Sequence, residues 1–311
     1  DENGGLRAIV EQRDADEKTR LIQEVNSGIY WFKAEKLSGL LDKLGNNNAA
    51  GEYYLTDTVA VAEKKGVYTA DSTDVVLGAN SRSQLAALNE VARKRKLAEL
   101  MDEGVDIPLS DGIIIGKDVK IGHDTVILPN TIIKGKTVIG NGCEIGPNSY
   151  IADCVIEDNV ILNNVQAHES KVDSCAKAGP FVHLRPNTHL HSGVKIGDFV
   201  EVKNSEVGIN TCIAHLTYVG DSDVGKGVNF GCGCVTANYD GIKKYRTTIG
   251  DNAFIGCNTN LIAPVTIGDN ATTAAGSTIT KNVPADSLAV ERGQTRIIEH
   301  WEKNSKRIKK A

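Results

Sequence analysis

Residues 115–151 read IGKDVK IGHDTV ILPNTI IKGKTV IGNGCE IGPNSY I, which places Ile115, Ile121, Ile127, Ile133, Ile139, Ile145 and Ile151 at a constant interval. A period of six fits neither the roughly 3.6-residue repeat of an α-helix nor the two-residue repeat of a strand. It fits a β-solenoid, in which each hexad forms one flat face and three hexads close a triangular coil of about eighteen residues. The aliphatic residue of each hexad then points inward and stacks on its equivalent in the next coil. Glycine follows it in IGKDVK, IGHDTV and IGNGCE, where the chain turns a corner and a bulky side chain would clash.

The same count extends downstream with slips. The phase breaks after Ile151, resumes as Ala178, Leu184, Leu190, Ile196 and Val202, and slips by one to Val207, Ile213 and Val219. A second slip gives Val224, Phe230 and Thr236. The excursion ANYDGIKKYRTT (237–248) then interrupts the register, which returns as Ile249, Ile255, Leu261, Ile267, Thr273 and Ile279. A solenoid is therefore expected over 112–285, and an insertion that a regular coil does not need marks a functional loop.

The front of the chain reads differently. LRAIVEQ (6–12), SGIYWFKA (27–34) and DVVLGAN (74–80) read as strands, while KAEKLSGLLDKLG (33–45) and TDTVAVAEKKG (56–66) carry apolar residues at helical spacing. Residues 1–81 thus look like the closing part of a larger α/β domain. RSQLAALNEVARKRKLAELMDEG (82–104) reads as a linking helix stopped by Gly104, within a linker of 82–111. Residues 286–311 form a basic tail, expected to be helical near RIIEHW.

The 311 residues carry a net charge of −5, so no global basic field argues for nucleic acid. No apolar run approaches a membrane span of about 18 residues. The single methionine is Met101, so Asp1 is expected to result from trimming. The seven cysteines, with no secretory signal, favour reduced thiols in the cytoplasm. Cys232 and Cys234 have a spacing found in zinc sites, but are expected on opposite sides of the solenoid wall.

Register sharpens the search for a site. Arg185 and Lys203 are eighteen apart, each one place after an inward aliphatic residue. Two stacked cations suit an anion such as phosphate, or are simply solvated beside an acid, for which Glu201 would serve. Two places after the inward residue, successive coils present His215, Cys232, Cys257 and Ala275, if the excursion replaces part of one face. A histidine beneath a column of small residues suits a general base under a slot for a slender cofactor arm. The alternative is a surface histidine at a corner that favours small residues. His183, His189 and His191 invite a zinc reading, but residues six apart lie on different faces, which separates His183 from His189.

The motifs GPFVHLRPNTHL, GDFVEVKNSEVG, AHLTYVGDSDVGKGVNFGCG, ANYDGIKKYRT, FIGCNTNLIAPVTIGDNATTAAGSTIT and LAVERG resemble the acetyltransferase domain of a bacterial family. That family is the bifunctional N-acetylglucosamine-1-phosphate uridyltransferase / glucosamine-1-phosphate acetyltransferase. IVEQRDAD, IQEVNSGIYWF, NNNAAGEYYLTD and VLGANSRSQL resemble the last third of its uridyltransferase domain. The resemblance implies a mainly β fold, a left-handed parallel β-helix of hexapeptide repeats. An α/β nucleotidyltransferase remnant and a linking helix would precede it.

It further implies a coenzyme-A-dependent N-acetyltransferase of cell-envelope precursor synthesis. His215 would be the general base that deprotonates the amine of glucosamine-1-phosphate. Arg185, Lys203 and Lys244 would bind the sugar phosphate, Tyr218 and Asn229 the sugar, and Glu201 would orient a hydroxyl or the base. Cys232, Asn238, Tyr239, Cys257, Ala275 and Arg292 would line the acetyl-coenzyme A site, the cysteines as packing residues. The family works as a homotrimer with sites between subunits, which Arg292 and the basic tail would serve. Another solenoid acyltransferase, or a silent trimeric scaffold, are the competing readings.

The front departs from the family. Its glycine-rich nucleotide loop and a metal-binding aspartate are missing from residues 1–81. Glu11 and Asn26 match UDP-sugar contacts and Asn80 matches a magnesium (Mg2+) ligand, an incomplete site. No uridyltransferase activity is expected from this chain alone.

Overall fold

The computed structural model describes residues 5–300. Packing divides the chain into two compact units, Asp1–Val91 and Ala92–Ala311.

In the first unit, the helical segments fold as expected but shorter, as α1 (Ala34–Leu41) and α2 (Asp57–Val61). Lys65 ends α2 by donating from Nζ to the carbonyls of Val59 (2.9 Å) and Ala60 (3.2 Å), and also reaches Arg7 O (3.1 Å). The three expected strands are absent: among residues 5–81 the only other elements are short 3-10 turns, Thr19–Leu21 and Thr73–Val75. A strand persists only when its backbone groups find a partner edge, and 6–12, 27–34 and 74–80 pair with none. Trp31, at 99% exposure, and Ile29, at 71%, consequently stay outside.

Helix α3 (Arg82–Asp102) ends as the sequence indicates. Gly104 adopts φ +93°, and the amides of Gly104 and Val105 bond back to the carbonyls of Met101 and Leu100. Leu97 and Leu100 on its last turns join the same core cluster as Ile113 and Val119. They close the first coil.

From Ile114 to Ala289 the chain winds through three parallel sheets of ten, nine and ten strands, and up to Ile279 each strand pairs with the third one before and after it. Ile114 pairs with Ile132, a coil of eighteen residues. All seven ladder isoleucines are buried, as are all the residues assigned to the later phases, from Ala178 to Ile279. Between the two phases the inward positions are Ile156, Leu162, Ala167 and Val172, all buried. The steps of five that hid this coil from the hexad count are corners shortened by one residue, with the inward direction kept.

Corners explain the remaining composition. Asn130, Asn148, Asn187, Asn204, Asn210 and others take positive φ, a region asparagine tolerates better than branched residues. At Gly140 an added Cβ would lie 2.8 Å from backbone atoms of Glu157 and Asp158 in the next coil. Only glycine fits that approach.

The 237–248 excursion is a true insertion. Val224 pairs with Ile249, so this coil is twenty-five residues long, against the seventeen of the coil before it (Val207 with Val224) and the eighteen of the first coil (Ile114 with Ile132). The loop is internally tied: Tyr245 N donates to Asn238 O (2.8 Å), and Asp240 Oδ1 accepts from the amides of Ile242 and Lys243. Arg246 anchors its exit, donating to Asp223 Oδ2 (2.8 Å), Ser222 O (3.0 Å) and Asn204 O (3.1 Å). At the other end, Leu288–Ala289 pairs with Thr272–Thr273 as the last strand. Residues 296–300 carry no helix, and 301–311, the rest of the expected basic tail, lie outside the described residues. Among the described residues no helix is long and apolar enough to cross a membrane.

Candidate active site

His215 ends the strand Cys212–His215, whose Ile213 is fully buried. Register stacks Ile213 on Phe230, Phe230 on Ile255 and Ile255 on Thr273. Two places on, therefore, His215, Cys232, Cys257 and Ala275 form one outer column. Backbone bonds run along it: Gly233 N to His215 O, Asn258 N to Cys232 O, and Gly276 N to Cys257 O. The register count assumes that the insertion replaces part of one face; it instead lies between two faces that both keep their pairing, and the column is preserved across it. His215, Cys257 and Ala275 are exposed and Cys232 half-buried, so the column lines the surface. The strand register sets Asp198 beside His215 on the opposite side from Cys232.

The next face carries the charges. His183, Glu201 and Tyr218 pair in register, and Lys203 pairs with Gly220, which continues the Arg185–Lys203 column. Both readings of those two cations are partly realised. Arg185 Nη1 donates to Glu201 Oε1 at 2.7 Å, and Glu201 pushes the guanidinium pKa further up. Lys203 instead meets Lys244 from the inserted loop. That neighbour, followed by partial burial, holds the Lys203 ammonium below the ordinary lysine range. Arg185 adds to the same field, and Asp221 opposes it.

Asp221 is the site residue that hexad counting missed. Its side chain is buried and accepts from the side-chain amides of Asn204 and Asn238. Burial pushes its carboxyl up, but those two hydrogen bonds and the charges of Lys203 and Lys244 outweigh it, leaving the pKa below the usual carboxylate value. The available signal was positional. Asp221 follows the cation column's Gly220 at a corner where asparagine otherwise stands.

The structure thus gathers Arg185, Glu201, Lys203, Tyr218, Asn238 and Lys244 around one face, with His215 at the corner before Tyr218. Asn229 lies one place before Phe230 on the His215 face, exposed. Tyr239 is exposed in the loop, its hydroxyl donating to Gly241 O at 2.7 Å. Arg292 lies beyond the last strand and is exposed. Cys234 is buried, where burial pushes its thiol up to about 11, and Cys232 is half-buried. All seven cysteines are free.

In the first unit, Glu11 Oε1 accepts from Thr56 Oγ1 (3.3 Å) and Asn26 donates to Tyr30 OH (2.6 Å). The backbone amide of Asn80 donates to Gln84 Oε1 (2.7 Å). Among the described residues no hydrogen bond joins these three residues to one another.

A family model described as bacterial transferase hexapeptide (six repeats) matches residues 246–281. The bifunctional protein GlmU of Acetivibrio thermocellus is 50% identical over 303 residues, covering 96% of this chain and 66% of that protein. The bifunctional protein GlmU of Desulfitobacterium hafniense is 46% identical over 303 residues, covering 96% of this chain and 67% of that protein. The chain therefore spans about two thirds of the length of these curated relatives. The solved structure of the Francisella novicida UDP-N-acetylglucosamine acyltransferase aligns over 57% of this chain and 64% of its own, at 17% identity and a TM-score of 0.40. With identity of this order over nearly its whole length, on a hexapeptide-repeat solenoid, this chain belongs to the family of the bifunctional protein GlmU.

Proposed function

We propose that this chain transfers an acetyl group from acetyl-coenzyme A to the 2-amino group of glucosamine-1-phosphate, on the route to UDP-N-acetylglucosamine. The observation that supports this reading most is the meeting of Arg185, Lys203 and Lys244 one face away from His215. A lysine ammonium held below its ordinary range by neighbouring cations suits a dianionic phosphate.

With the phosphate there, the sugar lies along Tyr218 and Asn229 toward the histidine corner. Tyr218 and Gly220 are about 7 Å apart along the strand. His215 takes a proton from the amine as it attacks the thioester carbonyl. The carbon–sulfur bond breaks, and coenzyme A leaves as thiolate or, reprotonated, as thiol. An amine so activated needs no acetyl-enzyme, so Cys232 and Cys257 serve as small packing residues. Together with Ala275 they leave room for the pantetheine arm, and Asn238, Tyr239 and Arg292 hold the rest of the cofactor. Glu201 keeps Arg185 aimed at the phosphate.

The working unit in this reading is a cytoplasmic homotrimer in which Arg292 serves a neighbour's site. Magnesium-dependent uridylyl transfer would belong to the full length of the relatives. Glu11, Asn26 and Asn80 supply only part of a UDP-sugar and magnesium site.

The test is coenzyme A thiol release with glucosamine-1-phosphate, run beside His215→Ala, with a loss of at least ~100-fold expected. Undiminished turnover in that variant removes His215 from the mechanism. UDP-N-acetylglucosamine formation from UTP by a preparation containing only these residues would refute the silent front unit.

A further inference from the structure

The second sheet brings together a cluster that acetyl transfer does not use. Lys171–Val172, His189–Leu190 and Glu206–Val207 lie side by side in consecutive coils. Val172, Leu190 and Val207 are buried, so Lys171, His189 and Glu206 stand outside. Asp173 and His191, two residues beyond Lys171 and His189, return to that same outer side. His183 belongs to a different sheet and takes no part, as the sequence indicates. His189 and His191, however, meet with ring centroids 3.9 Å apart.

Each ring faces a carboxylate at both nitrogens. On one edge a single oxygen, Glu206 Oε2, lies 3.0 Å from His189 Nδ1 and 2.9 Å from His191 Nε2. On the other edge Asp173 Oδ1 lies 2.9 Å from His189 Nε2, and Asp173 Oδ2 lies 3.2 Å from His191 Nδ1. A neutral imidazole has one N–H and one lone pair. If Glu206 accepts the N–H of both rings, two lone pairs face the Asp173 carboxylate. That contact is repulsive unless positive charge stands between them. Two protons would supply it, at the cost of two imidazolium rings in contact. One divalent cation supplies it without that repulsion.

We propose that Asp173, His189 and His191 form a binding site for a divalent transition-metal cation of zinc type, with Glu206 fixing the tautomer of both imidazoles. The donor atoms of the three ligands lie within 4.8 Å of one another. That spread suits a cation whose bonds to nitrogen are about 2.0–2.1 Å. Two imidazoles and a carboxylate favour zinc over calcium or magnesium, which prefer all-oxygen shells. A carboxylate that receives the outer N–H of a ligating histidine is the usual support of such a site. Here one oxygen serves two rings.

The surrounding charge agrees. Lys171 Nζ lies 2.8 Å from Asp173 Oδ1 and 3.5 Å from Glu157 Oε1. Three carboxylates against one ammonium leave negative charge for a dication. Lys171 claims Oδ1 and leaves Oδ2 for the metal.

The test uses the untagged, metal-free full chain titrated with zinc chloride against a chromophoric chelator. One ion per chain is expected to depend on this cluster. The double variant His189→Ala/His191→Ala loses it, and Glu206→Gln weakens it about 10–100-fold. Because cysteine thiolates also bind zinc, cobalt(II) is titrated in parallel. Weak visible bands without an intense thiolate charge-transfer band identify nitrogen and oxygen donors. A measurement on the unaltered chain guards against misfolded variants: saturating zinc should protect His189 and His191 from diethylpyrocarbonate, read by peptide mass spectrometry. Unchanged stoichiometry in a folded double variant, a thiolate band alone, or rings equally reactive with and without zinc would each overturn the proposal.

Discussion

Asn238 donates its side-chain amide to the buried carboxylate of Asp221, tying the start of the inserted loop to the coil before it. Asn204 donates to the same carboxylate from the preceding corner. The loop that brings Lys244 to Lys203 is therefore held at its root by one acid, which also opposes the charge of both lysines.

Asp221→Asn replaces an acceptor for two amides by a group that must turn its own donors toward them. A loss of about 1–3 kcal/mol at neutral pH is expected from the unsatisfied buried groups. The sign of the pH dependence follows from the lowered carboxyl. Its folded pKa lies below the ordinary aspartate value of 3.8, so its stabilisation is full above that value. It is lost as pH falls through the folded value. Denaturant titrations from about pH 6 down to about pH 3 should show the wild type losing more stability than the variant. Parallel acid slopes for the two proteins would remove Asp221 from this role.

Lys244→Gln should act with opposite signs on stability and on binding. Lys203 is held below the ordinary lysine range chiefly by Lys244, so their repulsion weighs against the unliganded fold at neutral pH. It is relieved only as pH rises through the Lys203 folded pKa toward 10.5. Removing Lys244 should raise the melting temperature of the unliganded chain slightly. It should also raise KM for the sugar phosphate about 10–100-fold, the worth of one charge-assisted contact. A variant that loses both stability and affinity would indicate a loop-folding role for Lys244 instead.

What the sequence revealed and what it hid have separate physical causes. A solenoid repeats one local rule, so Ile115 to Ile151 disclose the coil, and the same count places His215 beneath Cys232 despite two slips and an insertion. The coil through Ile156, Leu162, Ala167 and Val172 escaped because its corners are one residue shorter. Asp221 and the Asp173–His189–His191 cluster escaped for another reason. Their partners come from neighbouring coils and depend on side-chain reach, which a single-position count does not carry. The strands expected in 6–12, 27–34 and 74–80 failed because local β pattern says nothing about whether a pairing edge is present.

Ala275→Phe tests the column as a slot. Ala275 is exposed and packs against nothing a larger ring would displace from the core. Stability should change by less than about 0.5 kcal/mol. A ring in the column would obstruct a slender arm passing Cys232 and Cys257, so KM for acetyl-coenzyme A should rise at least about tenfold, with KM for the sugar phosphate little changed. A rise confined to the sugar phosphate would place the cofactor elsewhere.

The ladder itself makes the last prediction, because coils in a solenoid depend on their immediate neighbours. Ile145 is fully buried and stacks on Ile127 below and Leu162 above. Ile145→Ala should cost about 2–5 kcal/mol. Val138→Ala, in the preceding strand at 41% exposure, should cost less than about 1 kcal/mol. The loss should be local. Native-state hydrogen exchange should accelerate first at Leu128 N, which bonds to Ile145 O, and at Gly146 N, which bonds to Leu162 O. Amides around His215, several coils away, should keep their protection. Uniform acceleration from the first coil to the last would mean that the solenoid opens as one unit rather than coil by coil.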